Sequence, residues 1–331
     1  MKKRNIIILF ILTLIILFFT LKDNYVTILS SILRVNIVFL VLSYLLVLSY
    51  TFFKSIVTNN IVNKFSFVKF KDTFIIQLIT FFFNAVTPFS SGGQPFQVYM
   101  FSKKNVSLID STNTILQETI IHQTSLCLIG ILALILNKIF NIVSIGSVIS
   151  IFFIIGFLVN IIIVLFLLVV SKNEKLDLFF TNLIVNFISI FKKINKDEIK
   201  DKIKNYIKDF NNNSSMILKN KRNFILLVIL NSIALICLYI TPLTLLFSLG
   251  NYTSFDAITS IVIVTYVSII SSFVPLPGGT LGQEYIFANL FSAYLLDPML
   301  STLMILWRFI TYYFPLIIGA VILNLKYKNI K

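Results

Sequence analysis

Long apolar runs, each bounded by polar or charged residues, fall near 5–22, 35–53, 72–88, 111–136, 145–170, 223–249, 255–274 and 300–325. A helix needs about 20 mostly apolar residues to cross a bilayer, so the pattern predicts an all-α polytopic membrane protein with about eight membrane segments. The first run follows Met1-Lys2-Lys3-Arg4, as the core of a secretory signal would, but no small-x-small cleavage site comes after Leu21-Lys22. It reads as a retained span with a cytoplasmic N-terminus.

Composition removes the soluble alternatives. The 331 residues are 57% hydrophobic and 12% charged, against roughly 45–50% and 25% in an ordinary soluble domain. A soluble globular enzyme is excluded, no room is left for a large soluble catalytic domain, and 1–331 reads as one integral membrane domain. The net charge of +15, from 28 Lys+Arg against 13 Asp+Glu, would suggest nucleic acid in a soluble protein. Here the positive residues fall between the apolar runs, which points to membrane topology and anionic headgroups rather than to nucleic acid. Cys127 and Cys237 sit inside apolar runs at no metal-ligand spacing, so neither a disulfide framework nor a zinc site is indicated.

The basic residues also set orientation. Lys54, Lys64, Lys69 and Lys71 fall in one predicted loop, Lys103 and Lys104 in the next, many more in 171–222, and Lys326, Lys328 and Lys331 in the tail. All four regions, and both termini, are expected on the cytoplasmic side. Within 171–222, Ile199, Ile203, Tyr206, Ile207 and Phe210 recur at helical spacing. This segment reads either as a basic amphipathic helix on the inner leaflet or as a solvated linker between two halves.

With Lys71 and Lys103 on one side, the intervening chain must enter the membrane and come back. The same reasoning applies to 255–298, which starts from an external Gly250–Ser254 and must return outside before a last span that ends inside. Each excursion turns at a cluster of Gly and Pro, and these two clusters hold half of the 10 Gly and four of the 7 Pro. One reads Thr87-Pro88-Phe89-Ser90-Ser91-Gly92-Gly93-Gln94-Pro95-Phe96-Gln97. The other reads Val274-Pro275-Leu276-Pro277-Gly278-Gly279-Thr280-Leu281-Gly282-Gln283-Glu284. Pro removes a backbone donor and Gly permits unusual dihedrals, so each cluster should end one helix and begin another at membrane depth. Broken backbone is tolerated there only against protein or a water-filled cavity. Two re-entrant regions reached from opposite sides fit an inverted repeat with a site near the midplane; the alternative is a pair of kinks in ordinary spans. Fresh half-helix N-termini would offer donors and partial positive charge to an anion, for which a lipid phosphate is the obvious source.

Four ionisable residues lie within apolar runs, where each needs a partner or a task. Glu118 and His122 are four apart on one predicted helix face, flanked by Gln117 and Gln123, and read as a proton relay, a counter-charge to a cationic headgroup, or a structural pair. Glu284 falls in the first turn of the second restarted helix, where the dipole favours a carboxylate. Arg308, in Trp307-Arg308-Phe309-Ile310-Thr311-Tyr312-Tyr313, suits a lipid phosphate or a salt bridge to Glu118 or Glu284. Ser91, Gly92, Gly93, Gln94, Glu118, His122, Gly278, Gly279, Gln283, Glu284 and Arg308 are therefore the candidate substrate-binding residues. No nucleophile–base arrangement, Walker loop, dinucleotide fingerprint or HExxH sequence is present, so no catalytic residue, metal or cofactor is assigned.

These features together resemble a known family, the membrane region of lysylphosphatidylglycerol synthases of the multiple peptide resistance factor type and its stand-alone flippase-like relatives. The resemblance rests on Asn84 to Gln97, Glu118 in the following helix, Val274 to Glu284, and Trp307-Arg308 to Pro315, and it covers nearly the whole chain. Many relatives carry an Arg after the helix Glu and an Asp a few residues later; Thr119 and Gln123 stand here instead. The family implies a multi-pass protein of the bacterial plasma membrane that handles or translocates a phospholipid or another lipid-linked anion. In full-length synthases a separate soluble domain transfers lysine to phosphatidylglycerol, and this sequence carries no chemistry for that step. A lipid flippase-like transporter is the leading expectation. Lysylphosphatidylglycerol synthesis and a non-transporting membrane scaffold are the alternatives, and the sequence leaves oligomeric state open.

Overall fold

The computed structural model describes residues 25–87, 90–143, 147–170, 220–272, 277–279 and 282–327. The predicted first span, nearly all of the 171–222 linker, the end of the tail and parts of both Gly/Pro clusters (Pro88, Phe89, 273–276, 280 and 281) lie outside the described residues.

The helices are α1 (Tyr25–Leu33), α2 (Ile37–Val62), α3 (Phe70–Ala85), α4 (Gly93–Ser102), α5 (Leu108–Phe140) and α6 (Ser147–Val170). After the linker come α7 (Lys221–Tyr239), α8 (Thr241–Ser248), α9 (Ala257–Ser271), α10 (Gly282–Phe291), α11 (Met299–Arg308) and α12 (Phe314–Tyr327). Short polar side chains start several of them. Asn36, Ser107, Asn220 and Asp256 each accept a backbone N–H of the first turn of α2, α5, α7 and α9, satisfying a donor that the helix itself cannot. Among the described residues, four helical stretches are long and apolar enough to cross a membrane: Ile37–Val62, Leu108–Phe140, Lys221–Ser248 and Met299–Lys326. The protein is a polytopic helical membrane protein.

Several predicted ends shift. The span expected over 35–53 continues to Val62, so Lys54 is not a loop residue but lies well inside α2. The run 223–249 divides into α7 and α8 at Ile240, with Pro242 at the start of α8, where a missing N–H costs nothing. The last run contains a π-helix, Phe309–Tyr313, between α11 and α12. Pro315 stands two residues beyond its end and cannot donate to the Thr311 carbonyl, so the turn before it widens, and Phe314 N–H reaches back to Phe309.

At the centre of the bundle is α9, apolar around most of its circumference and buried along nearly its whole length, as expected of a helix enclosed by others. It packs on α5, α6, α7 and α10. Tight contacts use small side chains: Ser43 Oγ and Thr244 Oγ1 are 2.6 Å apart between α2 and α8, Ser260 donates to the Tyr239 carbonyl, and Ser125 donates to the Val228 carbonyl. Interhelical hydrogen bonds and close approach of this kind hold helices together where lipid removes the hydrophobic incentive. Outward faces carry Leu45, Leu48, Ile151, Ile154, Leu158, Ile162 and Leu165 exposed, a surface suited to acyl chains rather than water.

Side-chain contacts link the start of α3 to the end of α4, and the approach to α9 to the start of α11. Asp72, in the first turn of α3, pairs with Lys104, just past α4, at 2.9 Å and with Lys326 of α12 at 3.8 Å. Asn251, before α9, donates to Met299 Sδ at the start of α11, 3.3 Å away. The first end carries Lys64, Lys69, Lys71, Lys103, Lys104, Lys221, Arg222 and Lys326 against Asp72 and Asp110. The second carries Arg34, Lys138, Asp256 and Asp297. This asymmetry gives a direct test. In a chain with Cys127 and Cys237 changed to Ser, single Cys residues at 64, 104 and 326 should react with a membrane-impermeant maleimide from the cytoplasmic face, and one at 252 from the opposite face. Labelling of 104 together with 252 would refute the arrangement.

Candidate functional site

α4 and α10, each 10 residues long, reach only about 15 Å, half of a hydrocarbon core of about 30 Å. Their starting points are built differently. At the first break, Thr87 Oγ1 accepts the Gly92 N–H at 2.8 Å and Asn84 Oδ1 accepts the Gly93 N–H at 2.9 Å. A Cβ on either glycine would strike those same side chains, at 2.4 Å from Thr87 and 2.3 Å from Asn84. The expected free donors of this half-helix are thus capped from within, because a backbone break away from water needs internal partners.

At the second break Gly278 and Gly279 take left-handed φ of 61° and 64°. A Cβ on Gly278 would lie 2.1 Å from the ring of Tyr312, in the π-helix. The same Tyr312 donates its hydroxyl to the Ala85 carbonyl at the end of α3, at 2.9 Å. One side chain therefore touches both interruptions and brings them together.

Where they meet there is a cavity of about 400 Å³. Ser90 and Gln94 line it from the first break, Gly278, Gly279 and Gln283 from the second, and Lys54, His122, Gln123, Arg308 and Tyr312 from the long helices. Of the residues expected from sequence, Gln94, His122, Gly278, Gly279, Gln283 and Arg308 share this wall. Ser91, Gly92, Gly93, Glu118 and Glu284 do not line it: Ser91 is exposed outside, the glycines carry the turn, and the two carboxylates stand behind the cations.

Arg308 is 5% exposed and Glu284 6%. The Arg308 Nε donates to Glu284 Oε1 at 2.5 Å and Nη1 donates to Gln283 Oε1 at 2.6 Å. Nη2 is buried with no partner. Glu284 occupies the first turn of α10 as expected, and of the two carboxylates considered for Arg308 it is the one used. The guanidinium also lies 4.9 Å from the Tyr312 ring centroid and 5.7 Å from that of Trp307.

Glu118 has another cation. Its Oε1 lies 3.4 Å from Lys54 Nζ and accepts from Gln77 Nε2 at 3.1 Å. Gln77 also donates to Thr58 Oγ1 at 2.8 Å and accepts from Gln97 Nε2 at 3.0 Å, while Gln97 reaches Thr80 Oγ1 at 3.1 Å. This chain ties α2, α3, α4 and α5 through one buried polar network. His122 Nδ1 lies 3.4 Å from Asn231 Nδ2, a long contact. Sequence reasoning missed Lys54, Gln77 and Tyr312. The available signal was that α2 stays compatible with a helix past Lys54, through Ile56, Val57, Ile61 and Val62.

Two outcomes follow for stability. Lys54→Met leaves Glu118 buried without its cation and should cost about 3–5 kcal/mol, read as a lowered melting temperature; Glu118→Gln in the same chain should recover most of it. Gly278→Ala should also lower the melting temperature, because an L-residue at that φ costs roughly 1–2 kcal/mol and its Cβ meets Tyr312. An unchanged melting temperature for both single variants would disprove these packing assignments.

Residues 5–319 fit the family described as "Lysylphosphatidylglycerol synthase TM region", which is nearly the whole chain. No curated protein matches it.

Proposed function

The chain belongs to the lysylphosphatidylglycerol synthase transmembrane-region family, and from that premise we propose that it is a flippase-like transporter that binds the phosphate-bearing headgroup of a lipid and moves it between leaflets. The observation that carries this reading is the cavity between two broken helices, with Arg308 and Lys54 in its wall. An Arg fork matches a phosphate in shape as well as charge, and Nη2 of Arg308 is a buried donor with capacity to spare. Lys54, Gln94, His122, Gln123, Gln283 and the Gly278-Gly279 backbone complete the headgroup site. Gly92, Gly93, Glu118 and Glu284 support it from behind, Ser91 lies on the exposed side of the first break, and the acyl chains stay in the bilayer.

The topology proposed with it has about eight membrane segments, two of them re-entrant, in a single domain spanning 1–331. The excursion through α3 and α4 starts and ends at the basic end, and the one through α9 and α10 at the other. Their breaks meet at Tyr312, which supports an inverted pair. The basic end faces the cytoplasm of a bacterial cell together with both termini and the 171–222 linker, the membrane being the plasma membrane.

Translocation of acyl-labelled phosphatidylglycerol in proteoliposomes, read by loss of fluorescence to an impermeant quencher, tests transport. Lipid affinity by native mass spectrometry should fall in the order Arg308, Arg308→Lys, Arg308→Gln. Because Arg308→Gln also strands Glu284, the double variant Arg308→Gln/Glu284→Gln separates two roles. It should regain thermal stability without regaining lipid binding. Recovery of binding in the double variant would make Arg308 a structural ion-pair residue and sink the phosphate role.

A further inference from the structure

Beside the headgroup cavity lies a second, apolar space. Leu48 and Thr51 of α2, Leu78 and Phe81 of α3, and Pro315 and Ile318 of α12 line it. The same three walls continue into the cavity, which takes Tyr50 and Lys54 from α2, Asn84 from α3, and Arg308 and Thr311 from the last span. Phe81 belongs to both linings and stands between the two spaces.

The slot lies to the side of the cavity, not above or below it. α2 and the last span run in the same direction. At one end the Asn36 N–H donates to the Ser248 carbonyl at 2.7 Å and Asn251 donates to Met299 Sδ. At the other, Asn59 donates to Thr73 Oγ1 and the neighbouring Asp72 pairs with Lys326. On α2 the slot residue Leu48 comes before the cavity residue Lys54, whereas on the last span Ile318 comes after Arg308. The two spaces therefore share one depth. α2 and α12 both pack on α3, and the slot is the gap between them. Its rims belong to the outward surface, with Leu45 and Leu48 exposed on α2 and Ile317 and Val321 exposed on α12.

The interior of the slot suits hydrocarbon. No charged side chain lines it among the described residues, and the Thr51 hydroxyl is turned back to the Val47 carbonyl at 3.1 Å. As it stands the space measures about 10 Å³. The Tyr44 and Phe314 rings, 4.4 Å apart, bridge it, and Phe81 closes it towards the cavity, its ring 5.9 Å from that of Tyr50. Phe81 carries no polar group to anchor it, so admitting a ligand asks for a change of rotamer rather than the loss of a hydrogen bond. A lipid whose headgroup sits in the cavity must lead its chains out through an apolar wall, because methylenes left among polar groups and water forfeit their burial.

We infer that the slot between α2 and α12 is an acyl-chain site, which takes one fatty acyl chain of a lipid whose headgroup is in the cavity, and that Phe81 is the side chain that turns aside to admit it. The inference rests on the headgroup-site reading above and adds a chain-binding site to it.

The test uses phosphatidylglycerol with a photoactivatable diazirine midway along one acyl chain, reconstituted with the purified full chain, with adducts located by peptide mass spectrometry. Leu48, Leu78 and Ile318 should be labelled more heavily than the exposed Ile151, Ile154 and Leu158 of α6, which report contact with bulk lipid. In Arg308→Gln/Glu284→Gln the excess at the slot should disappear while labelling of α6 stays the same. Ile318→Trp fills the slot and should lower phosphatidylglycerol affinity in native mass spectrometry about tenfold, the order of effect expected of an overpacked site. Wild-type labelling of the slot no heavier than that of α6 would overturn the acyl-chain site and leave the headgroup site standing. Excess labelling that the double variant leaves unchanged would support a chain in the slot and overturn the phosphate role of Arg308 instead. The wild-type pattern decides the question even if a variant does not fold.

Discussion

Tyr312 lies against the bare Cα of Gly278 and donates to the carbonyl of Ala85, and the rest of the site depends on that double contact. Backbone interrupted at membrane depth must find protein partners for its polar groups. Here each interruption supplies part of the other's surroundings. The ring needs a residue without a side chain at 278, and the φ of 61° there asks for glycine as well, so two independent demands fall on one position. Pro315 contributes by withholding an N–H and widening the preceding turn into the π-helix that holds Tyr312. Arg308 begins that turn, and the same ring that closes the junction also lies under its guanidinium.

The cations of the cavity are kept at membrane depth by carboxylates on its far side. Removing a buried charge from its partner is expensive, and a buried pair becomes acceptable only when its remaining atoms are also satisfied. Neither pair is fully satisfied: Glu118 Oε2, Glu284 Oε2 and Arg308 Nη2 are buried without hydrogen bonds. Leftover donors and acceptors of this kind are uncommon in native interiors and call for an explanation. Arg308, which lines the cavity, thus keeps one unused cationic donor. Apart from Glu118 Oε2, the Gln97–Gln77–Glu118 network is tied by hydrogen bonds that run between four helices, and it serves to fix the helix that carries Lys54.

Most of the helical layout could be read from apolar runs, because a span is a property of composition over about 20 residues. The two breaks were equally legible, since Gly and Pro are scarce here and concentrated where helices stop. What could not be read was pairing. Arg308 had two candidate carboxylates, and only the packing of α10 against α11 selects Glu284. Lys54 was assigned to a loop because a lysine normally ends an apolar run; what keeps it inside α2 is Glu118 on another helix, a long-range fact invisible to a local pattern. The donors expected at Gly92 and Gly93 were absorbed by Thr87 and Asn84, whose reach depends on how tightly the chain folds back on itself. The role of Tyr312 left no trace in sequence periodicity at all.

The lengths of the half-helices bear on how a lipid headgroup could cross. α4 and α10 each rise about 15 Å, so in the proposed topology, where they enter from opposite ends, their starting points meet near the midpoint of a core of about 30 Å. A headgroup held between them is about equally far from both leaflets. Crossing then requires no travel of the binding groups, only a change in which end of the cavity is open. The buried network through α2, α3, α4 and α5 makes that quarter of the bundle resistant to such a change. The second break touches it through Tyr312 and its hydrogen bond to Ala85, while α12 packs along α3, α8 along α2 and α9 along α5. The adjustment that costs least is therefore a local one at the π-helix, where the carbonyl ladder is already interrupted.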